Sequence, residues 1–562
     1  MSRKTTRICL SPQGAWVRLA MAAVLMHGPS NAQEKPAEPS DPPALPFQLF
    51  PDAVPAEATF YIRQYRVKGA KGLPRIDVES AVYPFMGPEC TQVHIQKAQA
   101  ALQKAYEDKG YAGVSVSSQL LNHGVVILQV TETRVGRLQV KGSRYFSLDR
   151  IKKEFPSLAE GKMLNFKDVD RDLRASGRYP DRQISLTKES LKAREGQPEL
   201  MDVDLYVKDK LPLHGSLELN NRNSPDTTKL RVNGAISYGN LWQAGHTLGL
   251  SFQVAPERPE DAKVFSAFYS VPVPSVNGLS LTFSGTKQDS DINTLGGAGV
   301  LGRGYMVGAR ANKVLPQGKS WVHSISGGFD FKHFDEDISI GETTVVTPVD
   351  YCPFSLTYNG THVGATSTTD VNATLVFNIR AFGSSSVKFD AKRFTADSGF
   401  TILRADASHT RDLRNGMQLF GKVQGQLASG ALINSEQFSG GGLSNVRGYL
   451  ESTVQGDNAI MASAEVRSPS FIPIPSPKEG EMRATRPNQW RVYAFCEGGY
   501  LSNYDPLPEQ DSSFPMASAG IGTAFRLRDH FNGSVDAAIP LIDQGTTDAG
   551  DFVVTFRMWA DF

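Results

Sequence analysis

Between Ser439 and Thr453 the chain reads SGGGLSNVRGYLEST, which sets a single cation, Arg447, among Gly440, Gly441, Gly442 and Gly448, flanked by Val446 and Tyr449. A guanidinium presents five donors in one plane and suits a bidentate carboxylate partner better than a lysine would. By composition alone such a stretch reads as a mobile surface loop. No H-E-x-x-H, G-x-S-x-G or G-x-x-x-x-G-K-[ST] occurs in the chain, so an enzyme reading has no supporting constellation. Gly297 to Gly302 fits G-x-G-x-x-G, but no helix follows to offer its N-terminus to a pyrophosphate, and the stretch reads as a loop. Cys9, Cys90, Cys352 and Cys496 are far apart and lack C-x-x-C spacing, which suggests neither a metal site nor a disulfide framework. No cofactor is implied.

The elements that must position Arg447 fall into distinct regions. Arg3, Lys4, Arg7 and Arg18 precede or flank a short apolar run, Leu19 to Met26, that ends in Ser30-Asn31-Ala32. This is the pattern of a signal peptide spanning 1–32, and the run is too short for a membrane-spanning helix. Residues 33–59 carry Pro36, Pro39, Pro42, Pro43, Pro46, Pro51 and Pro55, which bar a continuous helix and favour an extended tether. The formal net charge of +1 over 562 residues gives no electrostatic case for a nucleic-acid partner.

From about Phe60 to Asp209 strand and helix patterns alternate, and the order repeats. The first unit opens with YIRQYRVKG (61–69) and contains a helix in which Ile95, Ala98, Leu102, Ala105 and Tyr106 share a face. Thr91 can cap its start and Gly110 can follow its end. The strands VSVSSQLLN (114–122) and VVILQVTE (125–132) come next, joined at His123-Gly124. The second unit runs from GRLQVKGS (136–143) through helical segments Leu148 to Phe155 and Phe166 to Ala175, to RQISLTKESLKA (182–193) and MDVDLYVKD (201–209). Two tandem β-α-α-β-β modules, 60–133 and 134–210, are the economical reading, since Arg66 to Gly69 and Gln139 to Gly142 end each first strand in nearly the same letters. A single mixed α/β domain is the alternative.

After Leu211 the period becomes two. Leu248, Leu250, Phe252 and Val254 alternate with Thr247, Gly249, Ser251 and Gln253. The last segment sets Phe552, Val554, Phe556, Met558, Ala560 and Phe562 on one face. About sixteen such segments, each of about ten residues, match the length a tilted strand needs to cross a hydrocarbon layer. Their expected starts are Leu213, Lys229, Thr247, Val264, Gly278, Arg303, Trp321, Cys352, Thr369, Phe400, Met417, Ala459, Trp490, Ala517, Gly533 and Phe552. A soluble sandwich would alternate too, but a run of this length would split into separate domains. With lipid on the apolar side the sheet must close, because each unpaired backbone group in hydrocarbon costs several kcal/mol. The fold class is therefore two β-α-α-β-β modules followed by a 16-stranded antiparallel transmembrane β-barrel over 211–562. His214 and His246 read as lumen or interface residues rather than metal ligands.

Two modules before a barrel, the quartet Val446-Arg447-Gly448-Tyr449 and the later Phe495-Cys496-Glu497-Gly498-Gly499 resemble the TpsB transporters of two-partner secretion. These are the haemolysin and haemagglutinin secretion or activation proteins, related to the assembly factor BamA. The resemblance runs from about Phe60 to Phe562 and makes the modules POTRA domains in the periplasm and the barrel a resident of the bacterial outer membrane. It implies a monomer, in contact with outer-membrane lipid, that exports an unfolded secreted polypeptide of the TpsA type, with activation of that cargo in some members. It also implies that loop 6, about residues 430–457, folds into the lumen, where Arg447 meets Glu497, with Phe495 and Gly499 on the same wall strand. The family commonly has aspartate where this chain has Glu497. Members also thread an N-terminal helix through the pore, which the prolines of 33–59 forbid, so the pore either lacks that plug or is filled by something else. The alternative is a BamA-like assembly factor, which typically carries five modules where this chain has room for two.

Overall fold

The computed structural model describes residues 59–562 apart from 122–123, 178, 291–301, 317, 319, 336, 341–342, 347 and 474–487. The expected signal segment, nearly all of the tether, His123 and all but the last residue of Gly297–Gly302 lie outside the described residues. The chain divides between Leu211 and Pro212 into two units.

The first module contains β1 (Phe60–Ile62), β2 (Gln64–Lys68), α1 (Arg75–Val82), β3 (Gly87–Cys90), α2 (Gln92–Asp108), β4 (Ser115–Leu121) and β5 (Val125–Thr131). Its main sheet has the order β2-β5-β4, with β2 parallel to β5 and β4 antiparallel at the edge. Thr91 and His94 form a reciprocal capping box at the start of α2, and Gly110 follows its end with φ +94°. Ile95, Leu102 and Tyr106 from this helix pack on Val126 and Leu128 of the sheet. The segment 61–69, expected as one strand, is two: β1 pairs with β3, whereas β2 pairs with β5. At the break, the Arg63 N–H donates to the Gly124 carbonyl at 2.9 Å and so leaves the ladder.

The second module contains β6 (Arg134–Lys141), α3 (Leu148–Glu154), α4 (Phe166–Ser176), β7 (Arg182–Ser185), β8 (Leu191–Arg194) and β9 (Gln197–Asp209). Again the first strand is parallel to the last. Residues 182–193 are also two strands and not one, because Thr187 N–H donates to Ser190 Oγ at 2.9 Å and this local turn displaces the ladder. The repeated Lys-Gly has a physical basis. Gly69 and Gly142 have φ +85° and +88°, and a Cβ there would lie 2.2 Å from the Val130 carbonyl oxygen and 2.4 Å from that of Val207.

The second unit is a closed barrel of sixteen antiparallel strands. They are β10 (Leu213–Asn220), β11 (Arg231–Leu241), β12 (His246–Val254), β13 (Ala262–Pro272), β14 (Leu279–Ser290), β15 (Gly302–Val314) and β16 (Trp321–Asp335). A small hairpin, β17 (Asp337–Ile340) with β18 (Thr343–Val346), leads to β19 (Val349–Val363) and β20 (Ser367–Gly383), followed by helix α5 (Ser386–Lys392). Then come β21 (Thr401–Asp412) and β22 (Gln418–Ala428), an inner hairpin of β23 (Phe438–Gly440) and β24 (Val454–Gly456), and β25 (Asn458–Arg467). The barrel ends with β26 (Gln489–Ser502), β27 (Ser513–Leu527), β28 (Phe531–Pro540) and β29 (Val553–Asp561). Sixteen strands appear as expected, but they vary from 8 residues in β10 to 17 in β20. The largest shifts in start are at β19, which begins at Val349 and not Cys352, and at β27, which begins at Ser513 and not Ala517 with Pro515 accommodated inside its ladder.

Alternation sorts the side chains. Leu217, Ile236, Leu250, Phe265 and Phe283 point outward and are exposed, while Glu218, Asn233, Ser237, Gln253 and Gln288 are buried within. The ring closes where Ser216–Asn220 of β10 pair with Arg557–Asp561 of β29. Gly215 and Phe562 exchange backbone hydrogen bonds of 3.0 and 3.1 Å there, and Arg557 donates to Glu218 across the seam at 2.6 Å.

Candidate functional site

The connection between β22 and β25 turns into the barrel. Gly441 and Gly442, with φ +98° and +87°, swing the chain out of β23, and the Gly442 N–H closes on the Tyr449 carbonyl at 3.1 Å. A Cβ on Gly442 would sit 2.3 Å from the Glu451 carboxyl carbon, so the turn requires glycine. Asn445 Nδ2 donates to the Ser439 carbonyl at 2.7 Å and keeps the turn narrow.

At its tip Val446, Arg447 and Tyr449 are buried. Composition alone suggested a surface loop; the structure places it in the interior. Arg447 donates from Nε to Glu497 Oε1 at 3.0 Å and from Nη2 to the same oxygen at 2.5 Å, while its own backbone N–H donates to Glu497 Oε2 at 2.7 Å. One carboxylate thus holds side chain and main chain together, which differs from a simple fork in which each nitrogen takes its own oxygen. The guanidinium also reaches Asp536 from Nη1 and Glu465 from Nη2, both at 2.9 Å. Its flat face lies over Phe495, with 3.5 Å from Cζ to the ring centroid.

Glu465, Glu497 and Asp536 project from β25, β26 and β28. Inward alternation on β26 supplies Phe495, Glu497 and Gly499 from the same face. Gly499 does not touch the guanidinium. A Cβ there would lie 1.8 Å from Met461 Sδ, so it makes room for Met461 in the apolar cluster that holds Val446 and Tyr449. Gly448 has φ +97° and packs against Pro540, Ala538 and Ser518. Tyr449 Oη donates to the Ile542 carbonyl at 2.7 Å. Sequence reasoning did not single out Glu465 or Asp536. The available signal was an acidic residue at the inward phase of a strand, a pattern Glu218 and Asp330 share without meeting Arg447.

The carboxylates have further donors: Ser463 Oγ to Glu497 and Tyr493 Oη to Asp536, both at 2.8 Å, and Arg467 Nε to Glu465 at 2.8 Å. Two guanidinium groups therefore face three carboxylates. A buried ionic cluster of this kind adds little net stability against a well-packed apolar one, but losing one member is costly. Such an arrangement fixes position. Among the described residues there is no group of histidine, cysteine and carboxylate side chains fit to hold a metal ion.

Residues 201–525 match the family described as haemolysin secretion/activation protein ShlB/FhaC/HecB. The chain belongs to that family. Residues 60–133 match the ShlB-type POTRA domain. This ShlB/FhaC/HecB member is 23% identical over 499 residues to an outer membrane transporter CdiB of Escherichia coli, covering 86% of this chain and 79% of that one. Its fold resembles the solved CdiB from Escherichia coli, with TM-score 0.59, 20% identity, and 91% and 92% of the two chains covered. It also resembles BamA from Haemophilus ducreyi lacking POTRA domains 1–3, with TM-score 0.54, 14% identity, and 90% and 100% covered. The family member is an outer-membrane transporter with periplasmic POTRA-type modules and a transmembrane barrel, of a family of transporters rather than enzymes. Among the described residues no helix is long and apolar enough to cross a membrane.

Proposed function

We infer that this transporter recognises an unfolded, secreted partner polypeptide of the TpsA type through its periplasmic modules and exports it through the barrel. In this reading 1–32 is removed as a signal peptide and 33–59 is a tether. Residues 60–133 and 134–210 are the two POTRA modules, and 211–562 is the pore, with loop 6 at about 430–457. A closed ring leaves no sheet edge to be covered, so the working unit is a monomer in outer-membrane lipid. Cargo emerging in the periplasm can add a strand to an exposed edge, and β4, the edge of the first module, carries the exposed Leu120 and Leu121 beside its free backbone groups.

The observation that carries this reading is a polar-lined, closed lumen occupied by a loop of the same chain and held at Arg447. Bonds made by charge-bearing side chains can be exchanged for others as a chain passes, so Arg447 with Glu497 serves as a latch and the glycines Gly441 and Gly442 as its hinge. A passive pore leaves the periplasmic modules without a task, and a BamA-like assembly factor is less favoured by the number of modules. Deletion of Phe60 to Glu132 is expected to abolish export while the barrel still inserts, and deletion of Gln33 to Pro55 to alter export far less. Equal losses from both would refute the division between recognition module and tether.

A further inference from the structure

Loop 6 is tied to the wall at a second place that shares no residue with the Arg447 cluster. Glu436, fully buried, accepts from Lys332 Nζ of β16 at 2.5 Å and Tyr351 Oη of β19 at 2.8 Å, and pairs with Arg404 of β21 at 3.3 Å. Its backbone carbonyl accepts from Arg404 at 3.0 Å and from Gln426 of β22 at 3.2 Å. Two cations, a phenol and an amide from four wall strands therefore converge on one residue of the loop. Beside it, Leu432 and Ile433 are buried in a cluster with Phe334, Tyr351, Phe389 and Phe400. The other end of the loop is closed by Asp457, also fully buried, which pairs bidentately with Arg393 behind α5 and accepts from the Leu432 N–H at 3.0 Å and the Tyr504 N–H at 2.8 Å.

The Arg447 cluster uses β25, β26 and β28, whereas Glu436 uses β16, β19, β21 and β22. Between the two lie Gly441 and Gly442, whose left-handed backbone makes the natural pivot. We propose that Glu436 is a positioning residue that pins the base of loop 6 to the wall independently of Arg447, so that the tip moves about Gly441 and Gly442 while the base stays in place. Opening then enlarges the passage by the tip alone and never empties the barrel of the loop. This goes beyond the export reading and needs no cargo to test, so either can fail without the other.

The test uses the mature protein in proteoliposomes with Cys90, Cys352 and Cys496 changed to serine. A single reporter, Val446→Cys at the buried tip or Ser435→Cys at the buried base, is labelled with a water-soluble maleimide. Adding Arg447→Ala is expected to speed labelling at 446 about tenfold or more, since a buried charge pair has been broken, and to leave the rate at 435 unchanged. Adding Glu436→Gln should speed labelling at 435 and leave 446 unchanged. If that variant does not insert, Lys332→Met removes one cation and leaves Arg404 to keep the fold. Equal acceleration at both reporters in the Arg447→Ala background would overturn the proposal, as would an unchanged rate at 435 when Glu436 or Lys332 is altered.

Discussion

Replacing Arg447 by alanine tests the latch most directly. The change removes the donors to Glu497, Asp536 and Glu465 and the stack on Phe495. Glu497 keeps Ser463 and the backbone N–H of residue 447, Asp536 keeps Tyr493 and Glu465 keeps Arg467, so no carboxylate is left without a donor. Breaking a buried pair costs about 3–5 kcal/mol, and these remaining partners put the loss near the lower end, about 3 kcal/mol. That is a shift of roughly a hundredfold in the balance between docked and undocked tip. The ring itself rests on ladders that Arg447 does not enter, so the variant should still insert and still migrate as a folded barrel on unheated gels. Export of the partner, measured as secreted protein per inserted barrel, should fall by at least tenfold. Arg447→Lys, a point charge without the planar fork, should fall in between. Unchanged export from an inserted Arg447→Ala barrel would refute the latch.

Other perturbations separate the contributions. Glu497→Asp should retain most export, because a carboxylate still faces the guanidinium, whereas Glu497→Gln should resemble Arg447→Ala in export assays. Gly448→Ala forces a side chain into a left-handed backbone at φ +97° and should cost about 1–3 kcal/mol, seen as faster proteolysis of the loop. In the second module, burial opposes ionisation of Asp209, but N–H donors from Tyr145 and Arg144 and the Ser143 hydroxyl hold its carboxyl below the usual range. That stabilisation is fully present above the unfolded value of about 3.9 and is lost as pH falls through the lower folded value. Thermal melts of a 59–211 fragment should therefore hold steady down to about pH 4 and decline below it, with a smaller acid step in Asp209→Asn. Tyr449→Phe removes the hydroxyl that donates to the Ile542 and Ala517 carbonyls and accepts from the Ala517 N–H, and should cost about 1–2 kcal/mol, leaving export nearly intact.

The barrel was legible because its pattern is enforced at every strand: water on one face and lipid on the other leave period two as the only arrangement. What blurred it was local. The early starts of β19 and β27 were not visible in the alternation, and the Thr187–Ser190 turn was invisible in a run that looked like one strand. The loop was harder, since its glycines and lone arginine describe a flexible surface segment until the wall is known. Glu465 and Asp536 lie 18 and 89 residues from Arg447, and nothing in their neighbours distinguishes them from other inward acids. The base of the loop was missed for the same reason, because Lys332 and Glu436 are 104 residues apart.

The seam between β10 and β29 joins residues more than three hundred positions apart, as the Glu218 to Arg557 contact illustrates with a separation of 339. Closure therefore rests on the pairing that is most distant in sequence among the ladders of the barrel. A chain lacking Val553–Asp561 loses both ladders of β29, to β28 and to β10, and cannot close into a ring.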